Sequence, residues 1–167
     1  MAELRPDFDA EDAALWPRPF AFLARPIADP LPFFIGEWRV ERTIDDLKSG
    51  DTGTFTGVVS FAPIPEGLAY REEGTLEMGA WQGPAFRSYI WELGEDGAVN
   101  VHFADGRFFH RFSLTGGDAA MVHACDPDLY RGRIAAVSEA EFKITWRIIG
   151  PRKDLDMRSL YRRFSQK

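Results

Sequence analysis

Three groups of residues in this 167-residue chain have the types and spacing to do chemistry. His110, His123 and Cys125 are the first. Imidazole nitrogens and a thiol can ligate a metal, move a proton or bond a polar ligand. Glu72 and Arg87 are the second, with Tyr70 two residues before Glu72 and Tyr89 two residues after Arg87. A carboxylate facing a guanidinium is either a structural ion pair or an anchor in which Glu72 holds Arg87 ready for a ligand carboxylate. The third group is aromatic with polar tips: Tyr89, Trp91 and Tyr130. Whether the three groups meet depends on the elements that carry them.

From Phe33 onward the apolar pattern has period two. Short runs rich in Val, Ile, Thr and aromatics alternate with Gly, Asp, Asn and Pro turns. The pattern predicts strands over 37–45, 53–61, 67–77, 85–93, 98–104, 107–114, 120–125, 130–137, 141–149 and 155–164. Near-regular spacing of such runs indicates an antiparallel meander closing into a sandwich or barrel.

The turns predict registers. Ala104-Asp105-Gly106-Arg107 reads as a two-residue Asp-Gly hairpin loop, setting Phe103 opposite Phe108, Val101 opposite His110 and Val99 opposite Phe112. Glu95-Asp96-Gly97 fits a loop with a glycine bulge that pairs Trp91 with Val101 and Tyr89 with Phe103. The turn at Thr115-Gly116-Gly117-Asp118 sets Phe112 opposite Met121 and His110 opposite His123. The turn through Asp126-Pro127-Asp128-Leu129 sets Cys125 opposite Tyr130 and His123 opposite Gly132. Together they gather Arg87, Tyr89, Trp91, Leu93, Phe103, Phe108, His110, Met121, His123, Cys125 and Tyr130 on one mostly apolar face, the expected interior. Glu92, Asn100, His102, Arg111, Arg131 and Arg133 fall on the other.

Buried imidazoles, phenols and guanidinium groups need partners. Three readings account for them here. The histidines can be neutral core residues bonded to each other, to Tyr130 or to water. They can line a ligand cavity together with Arg87, Tyr89 and Tyr130. They can bind zinc or a related ion with Cys125, although the sequence offers no fourth ligand. Cys125 has no helix N-terminus to lower its pKa and is expected to be an inert core thiol. Neither Gly-x-Ser-x-Gly nor a phosphate-binding or dinucleotide-binding glycine pattern occurs.

Composition narrows the partners. Twenty Lys and Arg against 26 Asp and Glu leave a formal net charge of −6, and no basic stripe stands out, which argues against general nucleic-acid binding. One cysteine excludes an internal disulfide. No apolar run reaches the roughly 20 residues of a membrane helix, and the opening Met1-Ala2-Glu3-Leu4-Arg5 soon turns acidic, unlike a secretory leader. A cytoplasmic protein is expected. Residues 1–31 hold Pro6, Pro17, Pro19, Pro26 and Pro30 and read as an irregular arm with a short helix possible over Asp9–Leu15. Residues 32–167 read as one β domain.

Phe34-Ile35-Gly36-Glu37-Trp38 resembles the Gly-x-Trp opening of lipocalin and calycin barrels. That resemblance implies a tryptophan closing one barrel end beneath an arginine of the last strand, here Arg162 or Arg163. The runs Tyr70-Arg71-Glu72-Glu73-Gly74, Arg87-Ser88-Tyr89-Ile90-Trp91, Phe103 to His110, His123 to Tyr130 and Gly150-Pro151-Arg152-Lys153-Asp154 resemble a small uncharacterised family of bacterial and fungal proteins, a domain of unknown function, across about Pro32 to Phe164. Leu155 departs from the aromatic that this family carries after Lys-Asp. The resemblance implies a barrel and no set activity.

The combined expectation is an all-β, antiparallel, up-and-down lipocalin/calycin-like β-barrel of eight to ten strands with a proline-rich N-terminal arm. It is expected to bind a small hydrophobic or amphipathic molecule, one that can bear a carboxylate, through Glu72, Arg87, Tyr89, Trp91, His110, His123 and Tyr130. No cofactor is specified, and a homodimer is compatible with the aromatic arm. Two alternatives stand beside binding. One is a small calycin-type enzyme in which Arg87 holds an acid substrate while Tyr89 or Tyr130 and Glu72 or His110 exchange the proton. The other is haem or metal binding through His110 or His123.

Overall fold

The computed structural model describes residues 16–17 and 24–165. A one-turn helix, α1 (Pro30–Phe34), precedes ten strands: β1 (Gly36–Asp46), β2 (Thr52–Ile64), β3 (Gly67–Met78), β4 (Trp81–Leu93), β5 (Val99–Phe103), β6 (Phe108–Phe112), β7 (Asp118–Cys125), β8 (Asp128–Ser138), β9 (Glu141–Ile149) and β10 (Asp154–Arg163). They form a single antiparallel sheet in the order β6-β5-β4-β3-β2-β1-β10-β9-β8-β7. Every strand predicted from period two is present. Pairing of β1 with β10 curls the meander into a nearly closed barrel, so β6 and β7 are its two edges. The stretch Asp9–Leu15, where a short helix was expected, lies outside the described residues.

One barrel end is closed by aromatics. Phe34 from α1 plugs it, with its ring centroid 4.9 Å from Trp91, 5.0 Å from Phe142 and 5.4 Å from Phe61. Trp38 is fully buried and donates its indole N–H to the Phe34 carbonyl at 2.7 Å. The expected arginine lid is Arg163. Its guanidinium carbon sits 4.1 Å from the Trp38 ring centroid, and it donates to the Ile35 carbonyl at 2.8 Å and to the Phe33 carbonyl. Arg162 instead points outward to Glu141 at 3.5 Å.

Four expected placements are corrected. His102, not Phe103, pairs with Phe108, because a bulge at Val101/His102 absorbs one residue. Phe108 therefore turns outward, 54% exposed, and Phe109 takes the inward position at 8%. Only the pairing next to the Asp-Gly loop shifts; beyond the bulge Val101 faces His110 and Val99 faces Phe112, as expected. His110 and His123 do not face each other across a ladder, since β6 and β7 share no strand pairing. That seam is bridged by side chains, with the Phe109 and His123 rings 4.9 Å apart. The segment before α1 adds backbone bonds there, from Ile27 N–H to Leu114 and from Arg25 N–H to Ala136, both 2.8 Å. The turn after Cys125 contains only Asp126 and Pro127, so His123 pairs with Tyr130 and Cys125 with Asp128. That slip is even, so every inward residue stays inward. Finally, Leu93 at the strand end is exposed.

Gly57 and Gly74 lie opposite each other on the inner face of β2 and β3. A Cβ on either would meet the partner backbone at 2.2 or 2.3 Å. These strands approach too closely there for any side chain, which permits the sharp coil of the barrel wall.

The bulge separates two adjacent phenylalanines by burial. Phe109→Ala is expected to cost about 3–5 kcal/mol, whereas Phe108→Ser stays within about 0.5 kcal/mol of the parent. Urea unfolding of both variants checks this, and equal losses would contradict the bulged register.

Candidate functional site: a cavity between an ion cluster and an aromatic wall

Alternation along the inner face of β1 runs Trp38, Val40, Arg42, so the strand that closes the barrel end also delivers a guanidinium to its interior. On β3 the same alternation brings in Tyr70 and Glu72, on β4 Arg87, Tyr89 and Trp91, and on β10 Met157, Ser159 and Tyr161. Registers set them side by side: Arg42 opposite Ser159, Glu72 opposite Arg87, Tyr70 opposite Tyr89.

These residues form one buried network. Glu72 is 1% exposed and Arg42 5%. Arg42 grips Glu72 with two parallel bonds, Nη1 to Oε1 at 2.9 Å and Nη2 to Oε2 at 2.8 Å, the geometry in which an arginine–carboxylate pair is strongest. Its Nε donates to Ser159 Oγ at 2.7 Å and Nη2 also to Tyr161 Oη at 3.2 Å. Tyr70 Oη donates to Glu72 Oε2 at 2.5 Å. Arg87 Nε stands 3.2 Å from Glu72 Oε1 and its Nη1 donates to Tyr89 Oη at 3.4 Å. The expected Glu72–Arg87 contact is thus present but secondary. Arg42, which the sequence reading passed over, is the main partner. The signal was available, because Arg42 follows Trp38 and Val40 at period two.

Burial by itself would raise the Glu72 pKa. The hydrogen bonds and charge of Arg42, with Arg87 and Tyr70 behind them, outweigh it and hold the carboxyl below its usual range. Burial pushes the Tyr70 phenol well up, and Tyr161 and Glu72 add to that. At neutral pH the cluster holds two guanidinium cations, one carboxylate and the neutral phenols of Tyr70 and Tyr89.

A cavity of about 270 Å³ lies against this cluster. Its far wall is aromatic. Phe103 and Phe109 stack with centroids 4.6 Å apart, and Trp146 stacks on Phe109 at 5.6 Å. Trp146 can lie flat because Gly132 sits opposite it on β8, where a Cβ would meet the indole at 2.6 Å. Arg87, Tyr89, Trp91, His110, His123 and Tyr130 all line the cavity, and Glu72 sits behind Arg87 without reaching it. Arg42, Tyr161 and Ser159 also line it. His102 points outward, to Glu92 at 3.3 Å. Cys125 lines the mouth and is exposed, so the expected core thiol is corrected: β7 carries it beyond the packed interior, to the last residue before the turn.

Two buried polar atoms in this lining have no hydrogen-bond partner among the described residues, Trp91 Nε1 and His110 Nδ1. Burial, reinforced by the nearby His123, lowers the His110 pKa from 6.5 to about 3. The imidazole is therefore neutral. Among the described residues no three His, Cys, Asp or Glu side chains converge as a metal site.

The profile of a family of unknown function, DUF6314, matches residues 34–163. The chain belongs to that family. The matched span runs from the Phe34 plug to the Arg163 lid, and so contains the whole barrel and its cavity. No curated protein matches the chain. Among solved structures, the S-type phycobiliprotein lyase CpeS from Guillardia theta is similar at a TM-score of 0.60 and 9% identity, covering 82% of this chain and 92% of that one. A protein of unknown function of the DUF3598 family from Nostoc punctiforme is similar at a TM-score of 0.52 and 11% identity, covering 83% of this chain and 49% of that one. At such identities the likeness is one of fold. No helix among the described residues is long and apolar enough to cross a membrane.

Two predictions follow from the network and the imidazole. Arg42→Met leaves a buried carboxylate short of its bidentate partner and is expected to cost about 3–5 kcal/mol. Combined with Glu72→Leu, the loss should fall short of the sum of the single losses by more than about 1 kcal/mol. A double-mutant cycle in urea measures this, and additivity would mean that the two groups are not coupled. For His110 the folded pKa is depressed, so its contribution is complete above pH 6.5 and is lost as pH falls towards 3. Between pH 7.5 and 5 the protein should lose about 2 kcal/mol through this group, above the range in which Glu72 begins to titrate. His110→Phe should flatten that part of the stability–pH curve, and an unchanged slope would refute the assignment.

Proposed function

We propose that the chain is a small-molecule-binding barrel whose ligand, apolar or amphipathic and carrying an aromatic ring, occupies the cavity between the Arg42–Glu72–Arg87 cluster and the Phe103–Phe109–Trp146 wall. The observation that carries this reading is the cavity itself: about 270 Å³, walled by stacked rings, with two buried polar atoms among its lining residues left unsatisfied. A pocket near the lower end of the usual range, roughly 300–1,000 Å³, mostly apolar and with a few convergent polar groups, is what small-ligand sites look like. Buried polar groups without partners are uncommon in a core that has no other use for them. Glu72, Arg87, Tyr89, Trp91, His110, His123 and Tyr130 are the site residues of this reading. Six of them contact the ligand, and Glu72 orients Arg87 from behind.

Binding is favoured over acid–base catalysis by the state of Glu72. Its two oxygens already face Arg42, Tyr70 and Arg87. A carboxylate so saturated gains little by accepting a proton, so it serves as a fixed counter-charge and not as a general base. For a metal ion, no three His, Cys, Asp or Glu side chains converge among the described residues.

The test uses a neutral aromatic probe, 2-naphthylmethanol, followed by quenching of tryptophan fluorescence. The wild-type barrel is expected to bind it saturably, at one site. Gly132→Val places methyl groups where the Trp146 ring now lies and drives the indole into the cavity, so affinity should fall at least about tenfold, the equivalent of 1.4 kcal/mol, while the barrel still unfolds cooperatively. Equal affinity in the two proteins would place the probe elsewhere and overturn the cavity reading.

A further inference from the structure

The hydrogen-bond bookkeeping of the ion cluster gives the end of the cavity nearest β1, β4 and β10 a chemical polarity. Arginine nitrogens only donate, so any hydroxyl bonded to an arginine must be the acceptor in that bond. Ser159 Oγ and Tyr161 Oη accept from Arg42, and Tyr89 Oη accepts from Arg87. Each hydroxyl therefore keeps its own proton to donate. Among the described residues no acceptor takes it: the nearby carboxylate, Glu72, is already met by Arg42, Tyr70 and Arg87. Tyr89, Ser159 and Tyr161 all line the cavity, and so does Arg87, whose side chain is 43% exposed and whose Nη2 has no bond among the described residues.

Charge points the same way. Two guanidinium groups against one carboxylate leave the cluster one positive charge in excess, and among the described residues no Asp or Glu lines the cavity. Arg42 is spent on Glu72, Ser159 and Tyr161. The uncompensated charge therefore sits on Arg87, at the mouth. Partly desolvated guanidinium and hydroxyl protons without acceptors favour an oxyanion over any neutral group.

We infer that this end is an anion pole, and that the ligand of the barrel is an aromatic monoanion, a ring-bearing carboxylate or an equivalent oxyanion, held by Arg87, Tyr89, Tyr161 and Ser159 with its ring against Phe109 and Trp146. This rests on the cavity reading above and adds the ligand's charge and orientation to it. Tyr161 and Ser159 become binding residues. Their period-two spacing on β10 places both hydroxyls on the inner face, opposite Val40 and Arg42 of β1.

The experiment compares two probes that share one ring system, 2-naphthoate and the neutral 2-naphthylmethanol, at equal ionic strength and pH 7.5. Wild-type protein is expected to bind naphthoate at least about tenfold more tightly, since a charge-assisted hydrogen bond is worth roughly 1.5–3 kcal/mol. Arg87→Gln should abolish that preference, bringing naphthoate affinity down to that of the alcohol in the same variant. Because Arg87 is partly exposed, this variant is expected to fold, and circular dichroism and a thermal melt check it. Tyr89→Phe removes one hydroxyl with little change of shape, and should lower naphthoate affinity by about three- to tenfold, narrowing the preference over the alcohol. Equal binding of the two probes by wild type overturns the anion pole and leaves the cavity reading standing. A naphthoate preference that survives both substitutions also overturns it, because the anion is then held elsewhere. If neither probe binds the folded wild-type protein, the cavity reading falls and this inference falls with it.

Discussion

The bidentate bond between Arg42 and Glu72 is the constraint around which the barrel interior is arranged. It joins β1 to β3 across the intervening β2, inside a sheet whose own hydrogen bonds connect only neighbours. Two charges this deeply buried are tolerable only with near-ideal geometry and with their remaining donors and acceptors satisfied. Ser159, Tyr70 and Tyr161 supply that satisfaction, and each must then stay on the inner face of its strand. A one-residue slip in β1, β3 or β10 would expose part of the cluster and strand the rest without partners, so the cluster pins the register of all three strands.

The two halves of the barrel divide the work. The end closed by Phe34, Trp38, Phe61 and Phe142 is dry and densely packed, with ring centroids mostly 4.8–5.4 Å apart. Arg163 covers the outer face of Trp38 with a guanidinium whose protons go to backbone carbonyls, so it closes that end without burying an unpaired charge. The opposite half is not filled. Gly132 removes a side chain where one would have occupied the interior, Trp146 flattens over it, and the bulge at Val101/His102 swings Phe109 in to complete the stack. The space on one side and the fixed, positively charged cluster on the other are both built by backbone placement rather than by flexible loops.

His110 belongs to this half for a related reason. An imidazole on the inner face of an edge strand loses water on both sides, which keeps it neutral. Neutral, it can donate from one nitrogen and accept at the other.

Much of the fold was legible from residues alone. Period-two alternation marked all ten strands, the Glu95-Asp96-Gly97 turn set the β4–β5 register as found, and the calycin-like Gly36-Glu37-Trp38, with Arg162 or Arg163 as its cover, anticipated the closed end. Arg87, Tyr89, Trp91, His110, His123 and Tyr130 were placed on the inner face by the same alternation, because facing is a local property of a strand, and Glu72 was assigned a cation on the condition that its face be the interior. What the tertiary structure alone decided was which inner-face residues touch. Arg42 reaches Glu72 across an intermediate strand, a pairing that depends on barrel curvature and on the glycines at Gly57 and Gly74 and not on any turn. The bulge that exchanges Phe108 for Phe109 and the missing ladder between β6 and β7 arise where the sheet must close on itself, and closure is a property of the whole barrel that no single hairpin contains.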